Sequence, residues 1–527
     1  MSESKTLQSK ITSEQARRLF ERNAFLIIND LPRGSQITID GLEAYITDTE
    51  FQGFKLLPAG WHLVAWTAAS TSAAAAVGQE GLRCAFFRYF DTAQVVVRRY
   101  DAASDRLVHP EASPPGRASR SSRSKDGPKL PEGTVASLDH LRSLDHKLAP
   151  YPLHKLADWT LATQNLQSVD RNEAHELLTA IIGRDDESGD YWTDALASVE
   201  PMELDAMMPQ SSAHGRALSR QERGDKAQAA EIELDKILAR GRQVRQFGKQ
   251  QEDNKRASIL RNGEASMPSF ADEPAPPVRL PVMDVRRSWP PGATGQELTR
   301  WCVDKSWLLI SLAQSCQKVC SGNRKLAPGQ DFDPILVVFE LSFLLFVFVQ
   351  NSVCMSYWND FVTLFCNAPA LLGAPGDFEE HPAYATDAAH VQPRPSLVAS
   401  FLRSLCAQFN LLPEDFFSSP ESRIEGMQEQ LTSNLAKCRT NVARALAASA
   451  AAEQENNTIE YEKLLSAWRA LSNTMRSRFG IELERELDEE VEVRQASAIA
   501  QGRGNHVGLD EDIELEKGED APVVVEL

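Results

Sequence analysis

The longest apolar stretch of this chain is too short to cross a bilayer. It is "ILVVFELSFLLFVFV", residues 335–349, which as a helix would span about 22 Å against a hydrocarbon layer of about 30 Å. Glu340 interrupts it. A helix apolar on nearly every side is expected as the centre of a helical core. The opening "MSESKTLQSKITSE" has no apolar heart, so no signal peptide is expected. Cysteine is scarce, eight in 527 residues with no C-x-x-C pair, and this fits reduced thiols better than a disulfide framework or a zinc site. A surplus of positive charge is missing too. The formal net charge is −18, and no basic face demands nucleic acid. Catalytic signatures are equally absent: no glycine-rich phosphate loop ("GATGQELT" lacks the lysine), no Gly-x-Ser-x-Gly elbow and no His-Glu-x-x-His helix. Cys84 has no histidine partner nearby in sequence. No cofactor, no metal and no catalytic residue is therefore expected, and binding is the better functional class.

What is present divides along the chain as an α+β arrangement of two domains. Residues 13–183 are expected as a β-rich, sandwich-like domain with a helical end. "SEQARRLFER" starts a short helix, and strand-like runs follow with Pro32–Gly34 and Pro58–Gly60 as turns between them. Trp61 and Trp66 are expected in its core. Residues 101–133 break the pattern with "RASRSSRS", where Ser119, Ser121, Ser122 and Ser124 are candidate phosphorylation sites in a solvated insertion. Helical spacing resumes from 134 around Pro150–Tyr151–Pro152. His140, His146 and His154 lie near Asp139, Asp145 and Asp158 there, but their spacing does not put them on one helical face. Residues 184–295 read as a variable linker, a charged helix followed by a proline-rich stretch. Residues 296–480 read as a helical bundle or stack, with Cys316 and Cys320 as small core residues and Gly480 as the closing stop.

Residues 481–527 hold 15 acidic and 4 basic side chains, so most of the chain's negative charge belongs to this tail. It is too polar to fold alone, yet it ends in "APVVVEL", a strand-former. Ala521, Pro522, Val523, Val524, Val525, Glu526 and Leu527 are expected to add a strand to the sheet of a partner. Val523, Val525 and Leu527 would face one way. Burying three aliphatic side chains yields about 5 to 8 kcal/mol, while fixing seven backbones costs about 7 to 14 kcal/mol. One-sided burial loses, so the strand needs contacts on both faces or a tether that keeps it near its site. A strand returning to the chain's own β domain, a frayed end and a carboxylate ligand read at Leu527 are the alternatives.

A family resemblance enters on these residues. "ARRLFERNAFLIINDLPRGSQITID" and "FQGFKLLPAGWHLVAW" resemble the N-terminal domain of the A1 cistron-splicing factor family. "LAPYPLHKLADWTLAT", "PPGATGQELTRWCVDKSWLL", "LVVFELSFLLFVFVQNSVCMSYWNDFVTLFC", "LLPEDFFS" and "APVVVEL" continue the likeness in the same order. The departures are insertions, including 101–133, 184–270 and "APGDFEEHPAYATDAAHVQP".

The resemblance implies a non-enzymatic assembly chaperone of the U5 small nuclear ribonucleoprotein. The implied partner is the central U5 scaffold, pre-mRNA-processing-splicing factor 8, bound through its RNase H-like and Jab1/MPN-like domains. The bound chaperone would keep the U5 helicase off until maturation. Expected with this are a monomer before binding, residence in cytoplasm and nucleus, no membrane and no direct nucleic-acid site. An RNA-binding splicing regulator acting through "RASRSSRS" and a helical peptide-binding trafficking adaptor are the competing readings.

Overall fold

The computed structural model describes residues 13–69, 82–110, 141–202, 276–321, 334–373, 393–417, 426–451 and 455–483, apart from single positions and one pair within them. Helix α1 (Ser13–Arg22) leads into nine strands: β1 (Ala24–Asn29), β2 (Gln36–Ile39), β3 (Glu43–Ile46), β4 (Gly53–Leu57), β5 (Gly60–Thr67), β6 (Arg83–Phe90), β7 (Val95–Asp101), β8 (Arg106–Val108) and β9 (Ala149–Pro150). Helices α2 (Leu156–Ala162), α3 (Gln164–Ser168) and α4 (Arg171–Ile181) follow, then β10 (Tyr191–Asp194), β11 (Val199–Pro201) and β12 (Val278–Leu280).

The strands make two five-stranded sheets, ordered β8-β7-β1-β4-β9 and β10-β6-β5-β2-β3. The second is antiparallel throughout; in the first, β1–β7 and β4–β9 run parallel. Residue alternation explains the layering. On β1, Ala24, Leu26 and Ile28 enter the main core, while Phe25 and Ile27 face outward, where Phe20 of α1 and Leu141, Leu144 and Leu148 cover them. Strand β5 is buried on both faces. Its Trp61 meets His175 of α4, while its His62 meets Tyr151 beyond β9. At Gly53 the φ is +128°, and a Cβ would lie 1.9 Å from the Leu26 carbonyl oxygen. Only glycine lets β4 begin this close to the β1 backbone.

Three sequence expectations change in detail. The Pro150–Tyr151–Pro152 break is not a gap between helices. It carries β9, placed at a sheet edge where proline needs no ladder donor, and the Tyr151 N–H reaches the Lys55 carbonyl. The break expected from residue 101 begins later, because Arg106–Val108 return as β8 in a hairpin with β7. The connection expected from 184 starts with β10, whose Tyr191 and Trp192 complete the second sheet. Short strands with mixed polarity lack a readable period, and a partner strand decides them.

Helices α5 (Gly295–Val303), α6 (Ser306–Ser321), α7 (Pro334–Val347), α8 (Ser352–Cys366), α9 (Pro369–Leu372), α10 (Pro395–Leu411), α11 (Met427–Ala451) and α12 (Glu455–Phe479) form the second half. The run anticipated as a core helix is α7, buried from Pro334 to Leu345. Phe339 packs on Phe361 and Phe401, and Phe401 stacks on Phe365 at 4.2 Å. Gly480 ends α12 at φ +65°, with the Ile481 N–H bonded back to the Met475 carbonyl. One contiguous core runs from β1 through α7 to Leu483.

Candidate functional site

Among the described residues, three of the buried polar clusters combine side chains of the kinds that could do chemistry or join the two halves, and their geometry decides what each can do. In the first, Asp40 Oδ2 lies 2.7 Å from His62 Nδ1 and accepts the Tyr151 hydroxyl at 2.7 Å. Asp40 Oδ1 takes the Leu63 N–H at 2.8 Å, and His62 Nε2 donates to the Pro58 carbonyl at 2.9 Å. Both ring nitrogens therefore face acceptors, which suits the imidazolium. Burial opposes that charge, but the Asp40 carboxylate overrides it and holds His62 above its usual range. Burial and the Asp40 carboxylate push the Tyr151 hydroxyl far up. An Asp–His pair suggests a hydrolytic dyad, but this imidazole has no free nitrogen and is 2% exposed. It joins β2, β5 and the segment after β9.

In the second cluster, Lys305 Nζ donates to Ser288 Oγ at 2.8 Å and to the Cys302 carbonyl. Burial lowers the Lys305 pKa. A Ser–Lys pair can be a nucleophile and its base. Here Ser288 is fully buried and its hydroxyl donates to the Trp301 carbonyl, so the pair ties the chain before α5 to the turn between α5 and α6.

The third cluster crosses between the halves. Glu340 of α7 accepts from Asn165 N at 3.0 Å, Asn165 Nδ2 at 2.6 Å, Leu166 N at 3.0 Å and Ser404 Oγ at 3.2 Å. Gln164 Nε2 and Asn165 Nδ2 reach Ser404 Oγ at 3.0 and 2.9 Å. A second crossing lies at the turn after α7. The Phe348 ring fills the space beside Gly41, where a Cβ would come within 2.1 Å of it, and the Phe348 carbonyl accepts from Arg83 Nε. Asn351 caps α8 through Val353 and Cys354, and its amide donates to the Ala197 carbonyl at 2.9 Å. These contacts fix the β-rich half against the helical half, so the molecule offers a composite surface with a defined shape.

Residues singled out in sequence fall apart spatially. His146 approaches Glu50 and His154 approaches Glu43 in separate exposed pairs, and no group of three or more His, Cys, Asp or Glu among the described residues could hold a metal. Burial pushes the Cys84 thiol up to about 12, and Cys316 is buried in α6. No described helix is long and apolar enough to cross a membrane. Ser119, Ser121, Ser122, Ser124 and residues 521–527 lie outside the described residues. The described chain ends with Ile481 and Leu483 buried against the core, which anchors the point where the acidic tail begins. Sequence reading missed Glu340's role, although a lone acid inside an apolar run was the visible signal.

Comparison with protein families bears on both halves at once. The model of the AAR2 N-terminal domain matches residues 22–183, and that of the AAR2 C-terminal repeat region matches residues 281–484. Together they take in more than half of the chain. The chain belongs to the AAR2 family. The two matched regions are the two halves that meet at Glu340 and Phe348, and the excursion between β11 and β12 falls in the gap between them. Among curated proteins, the Protein AAR2 homolog of Caenorhabditis elegans is 24% identical over 163 residues, 31% of this chain and 38% of that protein. The match thus spans well under two thirds of the relative's length.

Proposed function

We propose that this protein is a non-enzymatic assembly chaperone of the U5 particle. In this reading it holds the central U5 scaffold, pre-mRNA-processing-splicing factor 8, by the scaffold's RNase H-like and Jab1/MPN-like domains. While bound, it delays the U5 helicase until maturation. The observation that carries the reading is that AAR2 family models cover both halves of a body joined by one core. The buried polar clusters support it from the other side, since each holds elements together rather than facing a substrate.

The arm is the second part of the proposal. Residues 521–527 add a strand between two partner domains, with the tail anchored at Leu483 supplying the effective concentration that one-sided burial lacks. The protein works in the cytoplasm and the nucleus, as a monomer until it binds. Affinity purification of the full chain followed by mass spectrometry tests the assignment. Recovery of the U5 scaffold without the U5 helicase is expected. Recovery of membrane cargo tails, or of RNA with steep salt dependence and no scaffold, would point to the adaptor or the RNA-binding regulator instead.

A further inference from the structure

We infer that the start of the acidic tail, residues 482–492, docks in cis on a basic face formed by α10 and α12. Charge is spread unevenly over the helical half. Residues 393–413, 430–451 and 463–480 take in α10 and most of α11 and α12. They hold nine basic side chains and no acidic one, in a chain whose net charge is −18. Residues 482–492 hold seven acidic side chains and a single basic one, Arg485. Two stretches of opposite sign therefore meet where α12 ends.

Packing gathers part of the positive charge on one surface. Helix α10 shows solvent a narrow stripe in which Ser400, Arg403, Cys406 and Asn410 recur at three-and-four spacing. Cys406 Sγ lies 3.4 Å from Thr474 Oγ1, and Arg478 Nη2 donates to the Leu412 carbonyl at 2.7 Å. The stripe thus borders α12, and the two helices run side by side in the same direction. Arg403, one turn before Cys406, stands level with the span of α12 between Arg469 and Arg476, and all three are exposed. Among the described residues, no carboxylate forms an ion pair with Arg403 or Arg476.

The occupant follows from where the tail begins. After Gly480 the Ile481 N–H turns back to the Met475 carbonyl, and Ile481 and Leu483 are buried while Glu482 between them is exposed. The chain leaves α12 folded back against the helices, with its acids close behind Arg476. Extended, residues 484–492 reach about 30 Å, and the end of α12 lies about 15 Å from Arg469. Pairs between exposed charges are individually weak. The dock therefore needs several at once, and it dissolves when salt shortens their range from about 8 Å to about 3 Å. Docked, it leaves residues 493–527 as the part of the arm that can search. It does not depend on what residues 521–527 bind.

Trypsin reads the dock in the full chain, because it can cut after Arg485 and Arg494. With Arg403→Glu and Arg476→Glu together, both cuts, scaled to the cut after Arg120, should run about three to ten times faster than in wild type at low salt. Arg403→Lys with Arg476→Lys keeps the charge and should cut like wild type. Equal rates in all three chains would overturn the inference. Small-angle scattering of the wild-type protein needs no variant. A free acidic arm repels itself and contracts as salt screens it, whereas a docked arm is released. The radius of gyration should therefore rise between about 50 mM and about 1 M salt, and an unchanged or smaller radius would overturn the inference. Single-stranded RNA binding that weakens in the charge-reversed chain, with tail cutting unchanged, would make the face a nucleic-acid site and overturn it too. Neither readout involves the scaffold, so failure here leaves the proposed function standing, and failure to bind the scaffold leaves the dock standing.

Discussion

Asp40 occupies a left-handed backbone position at φ +56° and is wholly buried, and its carboxylate meets His62, Tyr151 and the Leu63 amide. Removing one partner of a buried ion pair costs more than the pair contributes, because the other charge stays behind. Asp40→Asn should destabilise the protein by about 3 to 5 kcal/mol in chemical denaturation. Because His62 is held above its ordinary value of 6.5, its contribution is full below that pH and is lost as pH rises through the raised folded value. The gap between wild type and Asp40→Asn should therefore narrow on the alkaline side. Next door, Gly41 has φ +65° and no room for a Cβ against Phe348. Gly41→Ala should cost about 1 to 3 kcal/mol, read as a lowered denaturation midpoint. Neither effect was legible in sequence, since the partners of Asp40 lie 22 and 111 residues away and Phe348 belongs to the other half.

Elements were legible where one period dominated. The apolar run at 335–349 is α7, the turns at Pro32–Gly34 and Gly480 are where their chemistry places them, and Trp61 and Trp66 are core. Legibility failed at β9, β10 and β12, each four residues or fewer, where pairing rather than pattern sets the conformation. Helix α7 carries the strongest test at this scale. Phe339 is fully buried between Phe361 and Phe401, so Phe339→Ala should cost about 3 to 5 kcal/mol by thermal or chemical unfolding. Asn351 serves two elements, capping α8 and holding the Ala197 carbonyl. Asn351→Ala should cost about 1 to 3 kcal/mol, with the loss also seen as faster hydrogen exchange in the first turn of α8.

At the scale of the molecule, the shared core makes two halves into one cooperative unit. Far-ultraviolet circular dichroism weighted to the helices and tryptophan fluorescence should report a single coincident transition. Two separated transitions would mean that the junction at Glu340 and Phe348 is marginal. The proposed reading is of a protein that acts by shape, in which the acidic sequence after Leu483, ending in "APVVVEL", reaches the partner. The most direct measurement of that account is the affinity of the full chain, and of a chain lacking residues 509–527, for a scaffold fragment holding both its RNase H-like and Jab1/MPN-like domains. Tail removal should weaken binding by at least about tenfold, or about 1.4 kcal/mol, with the fold intact. Equal affinity with and without those residues would contradict it.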